Sequence, residues 1–146
     1  MRIFIGFDDT DSPGSDYGTG KLVRWFEQKL PGGCTLWGVV RQQLLIDDRI
    51  PYTSHNSSAC AVIEAPDESA LGCLTESAAA HIEKHAVPGS DPGLCVCQER
   101  NGNLAGIIEF SVRCTHEVVT QAEAMKAAGS FHLSGHGGSN DGIIGA

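Results

Sequence analysis

The chain has 146 residues and a formal net charge of −8, from ten Lys and Arg against eighteen Asp and Glu. That length fits a single domain, 1–146, and a hydrophobic share of 41% excludes disorder over most of it. The acidic balance opposes tight binding of nucleic acid by this chain alone. No apolar run approaches bilayer length, so no membrane partner is expected. The start, Met1-Arg2-Ile3-Phe4-Ile5-Gly6, runs straight into acidic residues rather than forming a signal peptide, and the expected location is cytoplasmic.

In chain order, residues 2–7 form a short Ile- and Phe-rich run that reads as a buried strand. Residues 8–18 carry Asp, Ser, Pro and Gly and read as a loop. Thr19 is placed to cap a helix over about 20–30, with Leu22, Val23, Phe26 and Leu30 inward, and Pro31-Gly32-Gly33 stops it. Strands follow at 34–46 and 57–65, joined by a loop too short for a crossover helix, so this pair is expected to be antiparallel. Asp67 opens a helix over about 68–86, with Leu71, Leu74, Ala78 and Ile82 inward. Pro88 to Gly93 is a turn-dense loop and Leu94 to Gln98 a short strand. Residues 103–127 read as mainly helical, broken near Cys114-Thr115-His116. Phe131 to Asn140 reads as a Gly/Ser/His loop. Asp141 to Ala146 reads as the opening of a helix that the chain breaks off. The order implies an α/β (α+β) two-layer domain with helices packed on a mixed sheet.

The six cysteines are expected to be reduced thiols. Cys95 and Cys97 fall on one strand face, either as two small core residues or as half of a metal site. His81 and His85 are spaced as a helical metal pair, but no third ligand accompanies them, and a solvated helix face is the simpler reading.

Four segments carry candidate chemistry. Asp8, Asp9 and Asp11 crowd together just after the first strand, where mutual repulsion costs free energy unless a cation sits among them. Mg2+ suits such a site, and strand ends are where ligands bind in α/β sheets. A solvated acidic loop is the alternative. Ser134-Gly135-His136-Gly137-Gly138-Ser139-Asn140-Asp141-Gly142 offers free backbone N–H groups to an anion, without the Gly-Lys-Ser/Thr ending of a P-loop. A mobile tail is its alternative. Gly18-Thr19-Gly20-Lys21 sets a hydroxyl and a cation beside the acidic loop, where Lys21 is placed to neutralise a phosphate, or is simply exposed. Ile50 to Ser57 joins two strands with many hydrogen-bonding side chains, His55 among them.

Together these segments resemble the N-terminal kinase-like domain of the archaeal isoleucine-tRNA agmatinylcytidine (agmatidine) synthetases. That family opens with Gly-Ile-Asp-Asp-Thr-Asp-Ser, and here the stretch is Gly6-Phe7-Asp8-Asp9-Thr10-Asp11-Ser12. Gly18-Thr19-Gly20 stands where the family has a threonine pair. Ile50 to Asn56 looks like its Ile-Pro-x-Lys-Thr-Arg-Gly-Asn stretch, Ser90-Asp91-Pro92-Gly93 like its Thr-Asn-Pro-Gly turn, and Asn140 to Ala146 like its Gly-Arg-Gly-Leu-Ile-Gly-Ala segment.

The resemblance implies a domain that binds ATP and Mg2+ and activates a tRNA cytidine by phosphoryl transfer. It implies Mg2+ ligands among Asp8, Asp9 and Asp11, with Asp8, Thr19 and Lys21 as catalytic residues. Thr19 falls at the family's phosphorylated threonine. Nucleotide contacts are implied for Thr10, Ser12, Gly18, Gly135, Gly137, Gly138, Ser139 and Gly142. The chain departs from the family where the cationic Lys-Thr-Arg-Gly is replaced by Thr53-Ser54-His55-Asn56, and where Asn140 and Asp141 stand near the Arg of Gly-Arg-Gly. The family's nucleic-acid-binding barrel and zinc ribbon have no counterpart in these residues. The expectation is a diverged, stand-alone relative that keeps a nucleotide pocket, acts on an unidentified phosphoryl acceptor and meets tRNA only with help from other domains or proteins. A nucleotide-sensing or partner-binding module without turnover is the alternative.

Overall fold

The computed structural model describes residues 1–52, 55–99 and 104–146. Residues 53 and 54 of the loop before the third strand, and residue 103 of the expected long helix, lie outside the described residues.

The first strand, β1 (Arg2–Asp8), sets the architecture. Its odd residues Ile3, Ile5 and Phe7 are fully buried, while its even residues face the other side of the sheet. β2 (Thr35–Gln43), β3 (Ser57–Glu64), β4 (Gly93–Gln98) and β5 (His132–Gly135) complete a five-stranded sheet in the order β2-β3-β1-β4-β5. Ile5 lies opposite Ala61 on one side and Val96 on the other, which sets β1 at the centre.

The expected two-layer α+β arrangement is what forms, and β2 and β3 pair antiparallel as expected. The sheet, however, is antiparallel at every pairing rather than mixed. The reason is insertion. The helical connection from β1 to β2 gives two strands of the same direction, but the reversal after β2 places β3 between them. The connection from β3 to β4 likewise straddles β1. Each crossover therefore skips one strand, and no two parallel strands become neighbours.

Helix α1 (Thr19–Trp25) continues into a 3-10 turn at Phe26–Lys29, and α2 (Ala70–His85) lies beside it. Leu22, Val23 and Phe26 join Leu74, Ala78 and Ile82 over Ile3, Ile5, Phe7, Ala61, Ile63, Leu94 and Val96 to make the main core. The Phe7 and Phe26 rings stand 5.8 Å apart. α2 starts two residues later than expected because Asp67 ties back Ser69 through its N–H and hydroxyl before the first turn.

The long C-terminal helix divides into α3 (Leu104–Arg113) and α4 (Gln121–Ala128), with the break just after residue 113. Thr120 and Glu123 form a reciprocal capping box that starts α4 afresh. β5 occupies the stretch expected to be loop and pairs with β4, Leu133 opposite Cys95. The terminal segment makes a single 3-10 turn at Asp141–Ile143 rather than a longer helix.

His81 corrects one expectation: it is 3% exposed rather than solvated, shares a 2.9 Å hydrogen bond between Nε2 and the Leu22 carbonyl, and packs on Phe26 and His85. Cys95 and Cys97 are both buried in β4, as small core residues would be.

Candidate functional site

β1 carries its last carboxylate, Asp8, out of the core, and Asp9 then turns the chain with a left-handed φ of 50°. Burial pushes the Asp8 carboxyl up to about 7; the Asp9 backbone N–H opposes that shift, and the charges of Asp9 and Asp11 add to it. Burial likewise raises Asp9 to about 6, with further pressure from Asp91, Asp11 and Asp141. The strand end is thus a concentration of negative charge held out of bulk water.

These acids line a cavity of about 230 Å³. Asp8, Asp9, Asp11 and Thr19 form one side, joined by Asp141, Ile144 and Gly145 from the C-terminal segment. The β2–β3 connection and the α3–α4 break complete the lining, with Leu44, Ile50, Tyr52, Val118 and Val119 among its apolar members. Arg49 also lines the cavity, but Asp47 already holds it through two hydrogen bonds of 2.7 and 2.8 Å. The β2–β3 connection thus brings the Arg49 guanidinium to the site already paired with the Asp47 carboxylate.

Thr10 and Thr19 lock the acidic loop to α1. Both are buried, and the Thr10 hydroxyl donates to Thr19 Oγ1 at 2.9 Å. The Thr10 carbonyl accepts from Val87 N–H at 2.9 Å, which ties the same loop to the end of α2. Thr10 is therefore a brace behind the cavity, whereas Thr19 lines it. Gly18 lets the chain pass close to Asp11, whose Oδ2 would sit 3.3 Å from a Cβ there. Ser12 turns away into a local bond set, with its N–H on Ser15 Oγ at 2.9 Å.

The glycine-rich segment is engaged differently from the sequence expectation. Ser139 N–H and Oγ–H both donate to the Asp91 carboxylate, at 2.7 and 2.9 Å. The backbone N–H groups of Gly138 and Asn140 also act on that carboxylate and hold its pKa below the usual range. Of the loop amides expected to meet a phosphate, those of Gly138 and Ser139 are directed at a side chain of the protein itself, and that of Gly142 donates to the Asp91 carbonyl. Gly135, Gly137, Gly138, Ser139 and Gly142 do not line the cavity; a Cβ at Gly137 or Gly142 would run into Asp91, and one at Gly135 into Asn140. The residues that do reach the cavity are the ones after the loop, Ile144 and Gly145, together with Asp141.

Lys21 is exposed and lies over the Trp25 ring, 5.4 Å from its centroid, outside the cavity. Helical spacing explains this: Lys21 and Trp25 are four residues apart and share one face of α1. Among the described residues, no three His, Cys, Asp or Glu side chains come together as a ready metal-holding group. Mg2+ does not require three, because it commonly takes one or two carboxylates and completes its shell with water and phosphate oxygens. The donor set at Asp8 and Asp9 fits that requirement.

Sequence reasoning did not single out Asp91, Arg49 or the Val118–Val119 wall. Asp91 lies in Ser90-Asp91-Pro92-Gly93, a turn that carries part of the resemblance without marking its carboxylate as a ligand of the glycine loop. Arg49 directly precedes the Ile50–Ser57 loop, and a cation next to that loop was the available signal.

No family model matches the sequence, and no curated protein matches it significantly. Solved structures do match. They include a tRNA fluorescent labeling enzyme at a TM-score of 0.79 and apo TiaS, an agmatidine synthetase acting on an isoleucine tRNA, at 0.75, both 24% identical. The complex of TiaS with that tRNA and ATP matches at 0.78, also with 24% identity. All of this chain is covered in each match, but it spans only 34 to 35% of those proteins. At that identity the likeness establishes the fold: this chain is folded like about a third of TiaS, a tRNA-modifying enzyme with an ATP complex among its structures.

Proposed function

We propose that this domain binds ATP with Mg2+ in the Asp8–Asp9–Asp11 cavity and acts as a phosphotransferase-like unit of the agmatidine-synthetase type. The observation that carries the reading is electrostatic. Two partly buried carboxylates, Asp8 and Asp9, are pushed up to about 7 and about 6 with three further acids around them, and a divalent cation is the species that stabilises such a group at neutral pH. The shared fold with a protein solved in complex with ATP supports the choice of nucleotide.

In this reading one or two carboxylates among Asp8, Asp9 and Asp11 hold the metal, with water and phosphate oxygens completing its shell, and Thr19 presents its hydroxyl to the transferring phosphoryl group. The Thr10 hydroxyl donates to the Thr19 oxygen, which fixes its position and leaves the Thr19 hydrogen for the cavity. When bound, Mg2+ supplies charge neutralisation at the phosphates, the main requirement of phosphoryl transfer. Titration of the protein with Mg·ATP in a calorimeter tests the assignment. Measurable binding that Asp8→Ala abolishes is expected, and equal affinity of wild type and variant sinks it.

A second reading, a nucleotide-sensing module without turnover, is favoured by the Asp91 carboxylate in the glycine loop and by Lys21 facing away. Incubation with γ-labelled ATP and Mg2+ separates the two. Label on Thr19 or released phosphate supports the transferase, and binding with neither supports the sensor. A tRNA acceptor belongs to the transferase reading only with help from other domains or proteins.

A further inference from the structure

Asp91 stands between the acidic strand end and the C-terminal segment and is bonded to both. Its backbone N–H acts on the Asp9 carboxylate. Its carbonyl accepts from Gly142 N–H at 3.0 Å. Its carboxylate accepts from the N–H and hydroxyl of Ser139, with Gly138 and Asn140 N–H also directed at it. The neighbouring residues extend the contact, since His136 N–H donates to the Pro92 carbonyl at 2.7 Å and Gly93 pairs with Gly135.

The segment from His136 to Asp141 contains no apolar side chain, so burial does not hold it in place. Its order comes from hydrogen bonds: the donors of Gly138, Ser139 and Asn140 converge on the Asp91 carboxylate, while Gln121 Nε2 adds bonds to the Ser139 carbonyl at 2.8 Å and to the Asp141 carboxylate at 2.7 Å. A charged acceptor is the strongest choice for several backbone donors at once. That charge repels Asp9, but at Asp91 itself the loop donors outweigh the repulsion and hold its carboxyl below the usual range. The glycines at 137 and 142 allow the loop backbone to close on Asp91 without a Cβ in the way.

We infer that Asp91 is a positioning residue: an internal anion that clamps the glycine loop and so seats Asp141, Ile144 and Gly145 against Asp8 and Asp9 as one side of the cavity. The loop amides thus hold the protein's own carboxylate, and their contribution to nucleotide binding is indirect. The link from clamp to ligand affinity rests on the function proposed above; the clamp itself does not.

Hydrogen exchange on the full chain, with Asp91→Ala, Asp91→Asn and Ser139→Ala, tests the clamp, and Mg·ATP titration of the same proteins tests its consequence. Asp91→Ala is expected to speed exchange of the amides at 139–146 by roughly tenfold or more while α1 and α2 keep their wild-type protection. Asp91→Asn, which retains an acceptor oxygen, and Ser139→Ala, which removes only the hydroxyl contact, are expected to give smaller increases. Mg·ATP affinity is expected to fall about tenfold in Asp91→Ala and to recover in part in Asp91→Asn. Unchanged exchange at 139–146 overturns the clamp whether or not the protein binds Mg·ATP. Faster exchange spread equally over the whole sheet also overturns it, because Asp91 would then be a general stability residue. Local loosening with unchanged affinity in a protein that binds Mg·ATP overturns the positioning role. Absence of binding in the wild type removes the proposed function and leaves exchange to decide the clamp alone.

Discussion

Gly145 lies against Asp8 so closely that a Cβ at position 145 would overlap the Asp8 carboxylate oxygen and crowd Leu44. The last strand residue of β1 and the penultimate residue of the chain are thus in direct contact, although 137 positions separate them in the sequence. The same closeness recurs at Gly6, where a Cβ would strike the Ala146 backbone.

Gly145→Ala is therefore expected to destabilise the protein by about 1–3 kcal/mol through overpacking, because the obstacles are a fixed carboxylate and a packed leucine. It is also expected to weaken any ligand held by Asp8. Thermal melts and Mg·ATP titration of the variant check both. A melting temperature equal to wild type would mean that the C-terminal segment does not pack on the strand end.

The raised carboxyls give a pH dependence of defined sign. Asp8 and Asp9 titrate near 7 and 6 when folded, against 3.8 ordinarily. Between pH 4 and 7 the folded state then binds more protons than the unfolded one, so stability falls as pH rises through that window. Metal-free protein is expected to lose several degrees of melting temperature from about pH 5 to pH 8 from these groups. Asp8→Asn should flatten most of that loss. Mg2+ should offset it in the wild type and not in Asp8→Asn. Identical pH profiles for the two metal-free proteins would contradict the burial of this carboxyl.

Thr19→Val removes the oxygen that accepts from Thr10 while keeping the shape of the side chain. The buried Thr10 hydroxyl then loses its partner, at a cost of about 1–3 kcal/mol. Thr19→Ser restores the acceptor and is expected to recover most of the stability. Chemical denaturation of the three proteins measures the difference. Equal stability of Thr19→Val and wild type would show that the threonine pair does not brace the loop.

Lys21→Ala is expected to leave Mg·ATP affinity within about twofold of wild type, since the side chain lies over Trp25 and outside the cavity. Arg49→Ala should have the larger effect, because its guanidinium lines the cavity. The order of the two affinities, measured by calorimetry, decides it. A larger loss with Lys21→Ala would return the lysine to the phosphate-neutralising role suggested by its place beside the acidic loop.

Local pattern sufficed for β1 and for the inward faces of α1 and α2. Alternation through Ile3, Ile5 and Phe7, and helical spacing through Leu74, Ala78 and Ile82, report burial directly, because each side chain's direction follows from its own backbone. The crowding of Asp8, Asp9 and Asp11 was equally plain, since charges next to each other in sequence are next to each other in space. β5 was hidden: His132 to Gly135 lacks the β-branched and aromatic residues of a strand and is ordered by its pairing with β4. His81 read as exposed because its partner, the Leu22 carbonyl, is 59 residues away.

The sequence by itself determined an α+β domain with acids at the end of its central strand, because periodicity and local charge are properties of short segments. Only the tertiary structure decided that β3 would enter between β1 and β2. The same holds for Asp91, which fills the amide-rich loop expected to receive a phosphate, and for the chain end that closes over Asp8. Each of these depends on which distant segments meet, and a donor in a loop carries no mark of whether its acceptor will be a ligand or another part of the same chain.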